Sequence, residues 1–139
     1  FSPLDSDLFG PLFATQAMRA AFSDRAKLAA MLRAEAALAR AEARFGLAPE
    51  GLAPAIEALD ATDLDLAALG QDTAQAGVPV IPFVKAVQAR LPPDLEPFFH
   101  RGATTQDILD TALALQMRDG LGLIAAEGVA ILAGLARLA

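Results

Sequence analysis

Five side chains able to bind or orient an anion fall within seven residues: His100, Arg101, Thr104, Thr105 and Gln106. Phe98 and Phe99 flank them, and Gly102 supplies a flexible joint. Pro92, Pro93 and Pro97 forbid a regular helix just upstream. An apolar run begins immediately downstream. Thr104 and Asp107 have the Ser/Thr-x-x-Asp/Glu spacing of a capping box, which predicts a helix start here. The first N–H groups of a helix have no intrahelical partner. Two hydroxyls, one side-chain amide and those N–H groups would therefore collect at one loop-to-helix junction. Such a set can hold a carboxylate or a phosphate. Capping by itself accounts for Thr104 and Asp107, and a lone histidine beside a turn is commonly structural. The crowding of all five residues is what points to a ligand.

The elements that must position this junction are helical. Thr15 predicts a cap for a short helix over Gln16–Phe22, and Ser23-Asp24 a cap for a long one over Arg25–Phe45, closed by Gly46. Leu28, Met31, Leu32, Leu38 and Phe45 mark the apolar face of the long helix. Glu35 falls on or near that face and is expected to be a flanking, partly solvated carboxylate. Pro49 predicts the start of a helix running to Leu59, with a break or kink at Pro54. Thr62 or Asp63 predicts a cap for a helix through Ala76. Asp60, Asp63, Asp65 and Asp72 lack calcium-loop spacing and are expected at solvated helix starts. Residues 77–82 are expected as a stiff extended connector, with a helix over Phe83–Leu91. Residues 1–15, punctuated by Pro3, Gly10 and Pro11, are expected to be irregular and to pack over other elements. No stretch predicts a clear strand.

From Thr105 to Ala139, apolar residues surround the predicted helix on nearly every side. Such a helix is buried in a large bundle or lies in a membrane. Asp110, Arg118, Asp119, Glu127 and Arg137 interrupt it, and no uncharged span of eighteen residues exists, which argues against a membrane. Gly120, Gly122, Gly128 and Gly134 each weaken an isolated helix by about 1 kcal/mol relative to Ala. They make sense where neighbours press close. The residues before Thr105 are too few to cover this helix, so further chain or other subunits are implied.

Composition narrows the function. The chain has 139 residues, is 55% hydrophobic, and has a mean hydropathy of +0.41. It has no Cys, which excludes disulfides and thiolate metal sites, and one His, which excludes a multi-histidine metal site within the chain. No metal or organic cofactor is implied. A net charge of −6 with no basic run argues against nucleic acid. An anionic ligand must then be held by local donors and not by the overall field. The sequence has no initiator Met and no signal-peptide pattern at Phe1–Asp5, and it stops abruptly after Leu135–Ala139. The expectation is a piece of a longer polypeptide.

The run from His100 to Thr111, His-x-Gly-Ala-Thr-Thr-Gln-Asp-Ile-x-Asp-Thr, resembles a region of the fumarase/aspartase superfamily, and most closely its 3-carboxy-cis,cis-muconate cycloisomerases. Ala17–Asp24, Met31–Ala41 and Val78–Lys85 are similar to the same enzymes. The resemblance covers the whole chain but about the first third of a typical member. It implies an all-α fold: an N-terminal helical domain over 1–103, then the start of a long central-bundle helix over 104–139. It implies that Thr104, Thr105 and Gln106 bind a substrate carboxylate, that His100 binds or orients substrate, and that Arg101 complements its charge. It also implies a small polycarboxylate substrate, a cytoplasmic homotetramer with sites shared between subunits, and a place in aromatic catabolism. The family's serine base loop and a further histidine segment are absent from this sequence. No catalytic acid or base is therefore assigned here, and the chain alone is expected to be inactive. Adenylosuccinate lyase is the nearest alternative. Its nucleotide-binding Arg-Tyr pair is replaced here by Leu12-Phe13, and a histidine expected within Val80–Val84 is missing. A non-catalytic helical interaction module is the alternative of another class.

Overall fold

A computed structural model describes residues 6–139 and contains helices and turns, with no strand among the described residues. Seven α-helices follow in order: α1 (Gly10–Phe13), α2 (Gln16–Ala21), α3 (Asp24–Arg44), α4 (Leu52–Glu57), α5 (Leu66–Ala76), α6 (Val80–Gln88) and α7 (Thr105–Leu138). Local chemistry sets most starts. The Thr15 and Ser23 hydroxyls accept from the N–H groups of Met18 and Ala26, as their types predict. The Asp65 carboxylate accepts from Ala67 and Ala68 and caps α5, not Thr62 or Asp63. Asp60 instead caps a separate 3-10 turn over Ala61–Asp63. These aspartates do sit at helix and turn starts.

Three expectations need correction. The helix predicted from Pro49 starts at Leu52, which puts Pro54 in the first turn. An N–H there has no intrahelical partner to lose, so the proline costs no hydrogen bond and makes no kink. Pro82 sits in the same place in α6, so that helix begins at Val80 inside the supposed connector. The N-terminal segment is partly helical at α1, and its Leu8, Leu12 and Phe13 are more than half exposed instead of packing over other elements. The part of that expectation falling on residues 1–5 lies outside the described residues.

The core gathers around α3. Met31, Leu52, Ile56, Leu64, Val80, Phe83 and Val87 are nearly or wholly buried where α3, α4 and α6 meet. α7 lays one narrow stripe on this core: Ile108, Ala112, Gln116 and Gly120, four residues apart. The buried Gln116 amide donates to the Ala21 carbonyl at 3.0 Å, and Lys27 of α3 donates to the Leu109 carbonyl at 3.3 Å. At Gly120 an added Cβ would lie 2.8 Å from the Phe22 ring, so only glycine lets α2 approach. Gly122, Gly128 and Gly134 have open space around them in this chain. The remaining apolar side chains of α7, from Leu121 to Leu138, face outward. By length and composition α7 is long and apolar enough to cross a membrane, although none of that window is buried in this chain.

Candidate functional site

The predicted junction forms where α7 begins. Phe99 is buried against Phe83, with ring centroids 6.4 Å apart. It anchors the turn that carries His100, Arg101 and Gly102. Gly102 has φ +76°, the joint expected of it. His100 has φ +58° and is the only non-glycine residue with positive φ among the described residues. That conformation is uncommon for a residue with a Cβ and persists where surroundings enforce it.

What enforces it is a side chain that the sequence reading misplaced. Glu35 is not a flanking carboxylate: it is 1% exposed, in the middle of α3. Its Oε1 lies 2.6 Å from His100 Nδ1 across 65 residues of sequence. Burial pushes the Glu35 carboxyl up from 4.5, the His100 hydrogen bond and charge oppose this, and Glu42 adds to the rise. The signal was present in the sequence. Leu28, Met31, Leu32 and Glu35 follow the helical period, so Glu35 belongs to the core face.

The hydroxyl-bearing residues divide in use. The Thr104 N–H and hydroxyl both donate to Asp107 Oδ2, at 2.8 and 2.9 Å. The Gln106 amide donates to Asp110 Oδ1 at 2.6 Å. The Thr105 hydroxyl makes no hydrogen bond among the described residues, and Thr105 is half-buried. Arg101 is exposed, with its guanidinium 5.9 Å from the Phe98 ring centroid. The structure thus brings His100, Thr104, Thr105 and Gln106 to one junction, with Arg101 turned to Phe98. The junction is open on its outer side, since Arg101, Thr104 and Gln106 are exposed. Two open grooves lie elsewhere. One of about 420 Å³ runs between α3 and α4, and one of about 430 Å³ lies between residues 13–18 and α7.

Hydrogen bonds from the Thr104 backbone and hydroxyl hold the Asp107 carboxyl below its ordinary 3.8. Its unfolded form therefore takes up a proton first as pH falls. The stabilisation is complete above about pH 3.8 and is lost as pH drops through the lower folded value. Asp107→Ala is expected to be less stable than the parent at neutral pH, with the gap closing under acid. Thermal melts from pH 7 to 2 check this; a gap that stays constant across the range would remove the cap from the account.

No protein-family model matches the chain. The 3-carboxy-cis,cis-muconate cycloisomerase of Pseudomonas putida is 48% identical over 128 residues, covering 89% of this chain and 30% of that protein. The crystal structure of the 3-carboxy-cis,cis-muconate lactonizing enzyme from Pseudomonas putida superposes with a TM-score of 0.83 at 48% identity, over 87% of this chain and 28% of that one. The chain is homologous to the fumarase/aspartase superfamily. It corresponds to the helical N-terminal part of that fold and spans about 30% of the length of the curated relatives it matches. Within the superfamily the likeness is not confined to cycloisomerases. Nitrosuccinate lyase of Streptomyces davaonensis is 46% identical over 140 residues, covering 98% of this chain and 30% of that protein.

Proposed function

We propose that this chain is the N-terminal part of a cycloisomerase that lactonises 3-carboxy-cis,cis-muconate, in the protocatechuate branch of aromatic catabolism. One observation carries the reading. The His100–Thr111 run sits at a loop-to-helix junction within a chain 48% identical to a cycloisomerase and superposing on a lactonizing enzyme. In such a reaction a carboxylate of the substrate adds across a double bond. The carbon beside another carboxylate takes a proton, and negative charge passes through that carboxylate. Donors fixed at a helix start meet this charge with little reorganisation. Thr105 and the first N–H groups of α7 are assigned to the carboxylate, with Thr104 and Gln106 beside them. His100 is assigned to binding or orientation, and Arg101 to charge complementarity. The acid and base are assigned to residues outside this chain, which by itself is inactive.

In this reading residues 1–103 form the N-terminal helical domain and residues 104–139 begin the central bundle. The outward apolar side chains of α7 are covered by protein in a cytoplasmic homotetramer, which also closes the junction, and no membrane, nucleic acid, metal or cofactor is needed. The likeness to nitrosuccinate lyase favours a second reading, elimination from a succinate-like substrate. Both readings share a polycarboxylate bound at the start of α7. Assay of the native protein with 3-carboxy-cis,cis-muconate, nitrosuccinate and adenylosuccinate separates them. Lactone formation is expected. Turnover of nitrosuccinate or adenylosuccinate without any lactone would replace the first reading with a lyase.

A further inference from the structure

Glu35 and Gln116 are the two polar side chains buried in this chain, and Glu35 is the charged one. Bringing a carboxylate out of water costs several kcal/mol, and an apolar residue of similar size often serves a core as well or better. Ala34, Ala36, Met31 and Leu32 around it show what this face of α3 otherwise uses. At the other end of the same hydrogen bond, His100 holds an uncommon backbone conformation. Two unfavourable features thus meet at a single 2.6 Å contact. Packing explains neither of them.

What the contact achieves is orientation. A carboxylate that accepts from Nδ1–H fixes the ring plane and leaves Nε2 as the nitrogen that meets a ligand. His100 is 18% exposed, so one edge of the ring remains reachable. The charged groups around the pair are Glu42, which acts on Glu35, Asp107, whose carboxylate feels His100, and Arg101, which is turned to Phe98. Three carboxylates and no other close cation favour a positive imidazole when an anion arrives.

We infer that Glu35 is a positioning residue, which holds His100 through Nδ1–H so that Nε2–H grips a carboxylate of the substrate bound at the start of α7. This rests on the proposed polycarboxylate site, and it adds a residue that never touches the substrate. It involves hydrogen bonds alone, with no bond made or broken.

The test uses the native protein, with succinate as the probe ligand. 15N-histidine NMR assigns the His100 ring by its loss in His100→Asn. In the parent, Nδ1 is expected to be protonated and Nε2 to shift as succinate is added. In Glu35→Gln, kcat/KM for the turned-over substrate is expected to fall roughly 10- to 100-fold, mostly through KM, as when a carboxylate behind a functional imidazole is lost. The alkaline limb of its pH profile is expected to move about one unit lower, a shift that merely structural damage would not give. Glu35→Asp is expected to restore part of the loss. A parent His100 bare at Nδ1 would overturn the inference even if no variant folds, as would Glu35→Gln with parental kinetics and pH profile. Turnover of none of the three candidate substrates, with the succinate shift intact in the parent and absent in Glu35→Gln, would sink the proposed reactions and leave the Glu35 role standing.

Discussion

Replacing Thr105 with alanine in the native protein is expected to lower kcat/KM about 100-fold, the usual effect of removing one preorganised donor from developing negative charge. Among the residues at the junction, Thr105 carries this expectation for a geometric reason. The Thr104 donors are occupied by Asp107, and the Gln106 amide by Asp110. The Thr105 hydroxyl has no such partner among the described residues. The fold should hold, because alanine is the better helix former and Thr105 is the first residue of α7, not its cap. Circular dichroism and a thermal melt would establish that. Steady-state kinetics then decide the role: a folded Thr105→Ala variant with parental turnover and KM would remove the hydroxyl from the site.

The largest effect on stability is expected at Phe83. Phe83→Ala should cost about 3–5 kcal/mol, the range for emptying a fully buried aromatic position. That is a large share of the roughly 5–15 kcal/mol that separates a typical domain from its unfolded state. Phe83 is 0% exposed and packs with Met31, Ile56 and Val87 in the core. Its second neighbour makes the loss reach the site. Phe99 lies tilted at 54° to the Phe83 ring and immediately precedes His100. Without Phe83, Phe99 loses the surface that holds it, and with it the turn that sets the His100 backbone. Hydrogen exchange over residues 98–102 should therefore quicken together with the drop in the denaturation midpoint. Phe45→Ala is the control: Phe45 is 80% exposed, and its loss should change stability by less than about 0.5 kcal/mol. Equal midpoints for the two variants would show that the buried ring is not what braces this turn.

The sequence by itself determined what depends on a few neighbouring residues. Thr15, Ser23 and Thr104 announce helix starts because a cap is a contact across three residues, complete before any tertiary structure forms. Gly102 at positive φ is legible for the same reason. The crowded donors at the start of α7 were legible as a cluster, and their resemblance to a known family was legible as a string. Pro54 and Pro82 misled because a proline in the first turn of a helix and one in its middle look alike until the start of the helix is known. The division of labour among the donors also had to wait, because Gln106 with Asp110 and Thr104 with Asp107 depend on rotamers that the surrounding chain selects.

Tertiary structure alone decided the fate of Glu35. A glutamate among alanines reads as solvated, since burial of a charge is costly until a partner is known. That partner stands 65 residues away and is delivered by the packing of α3, α6 and the turn before α7. The same holds for α7 itself. Its sequence says that it is apolar on every side, but only the fold shows that Ile108, Ala112, Gln116 and Gly120 meet α3 and α2 and that the rest faces outward. Hydrophobicity drives a surface out of water without naming the surface it meets. That choice is made by shape, over distances that a local pattern cannot span.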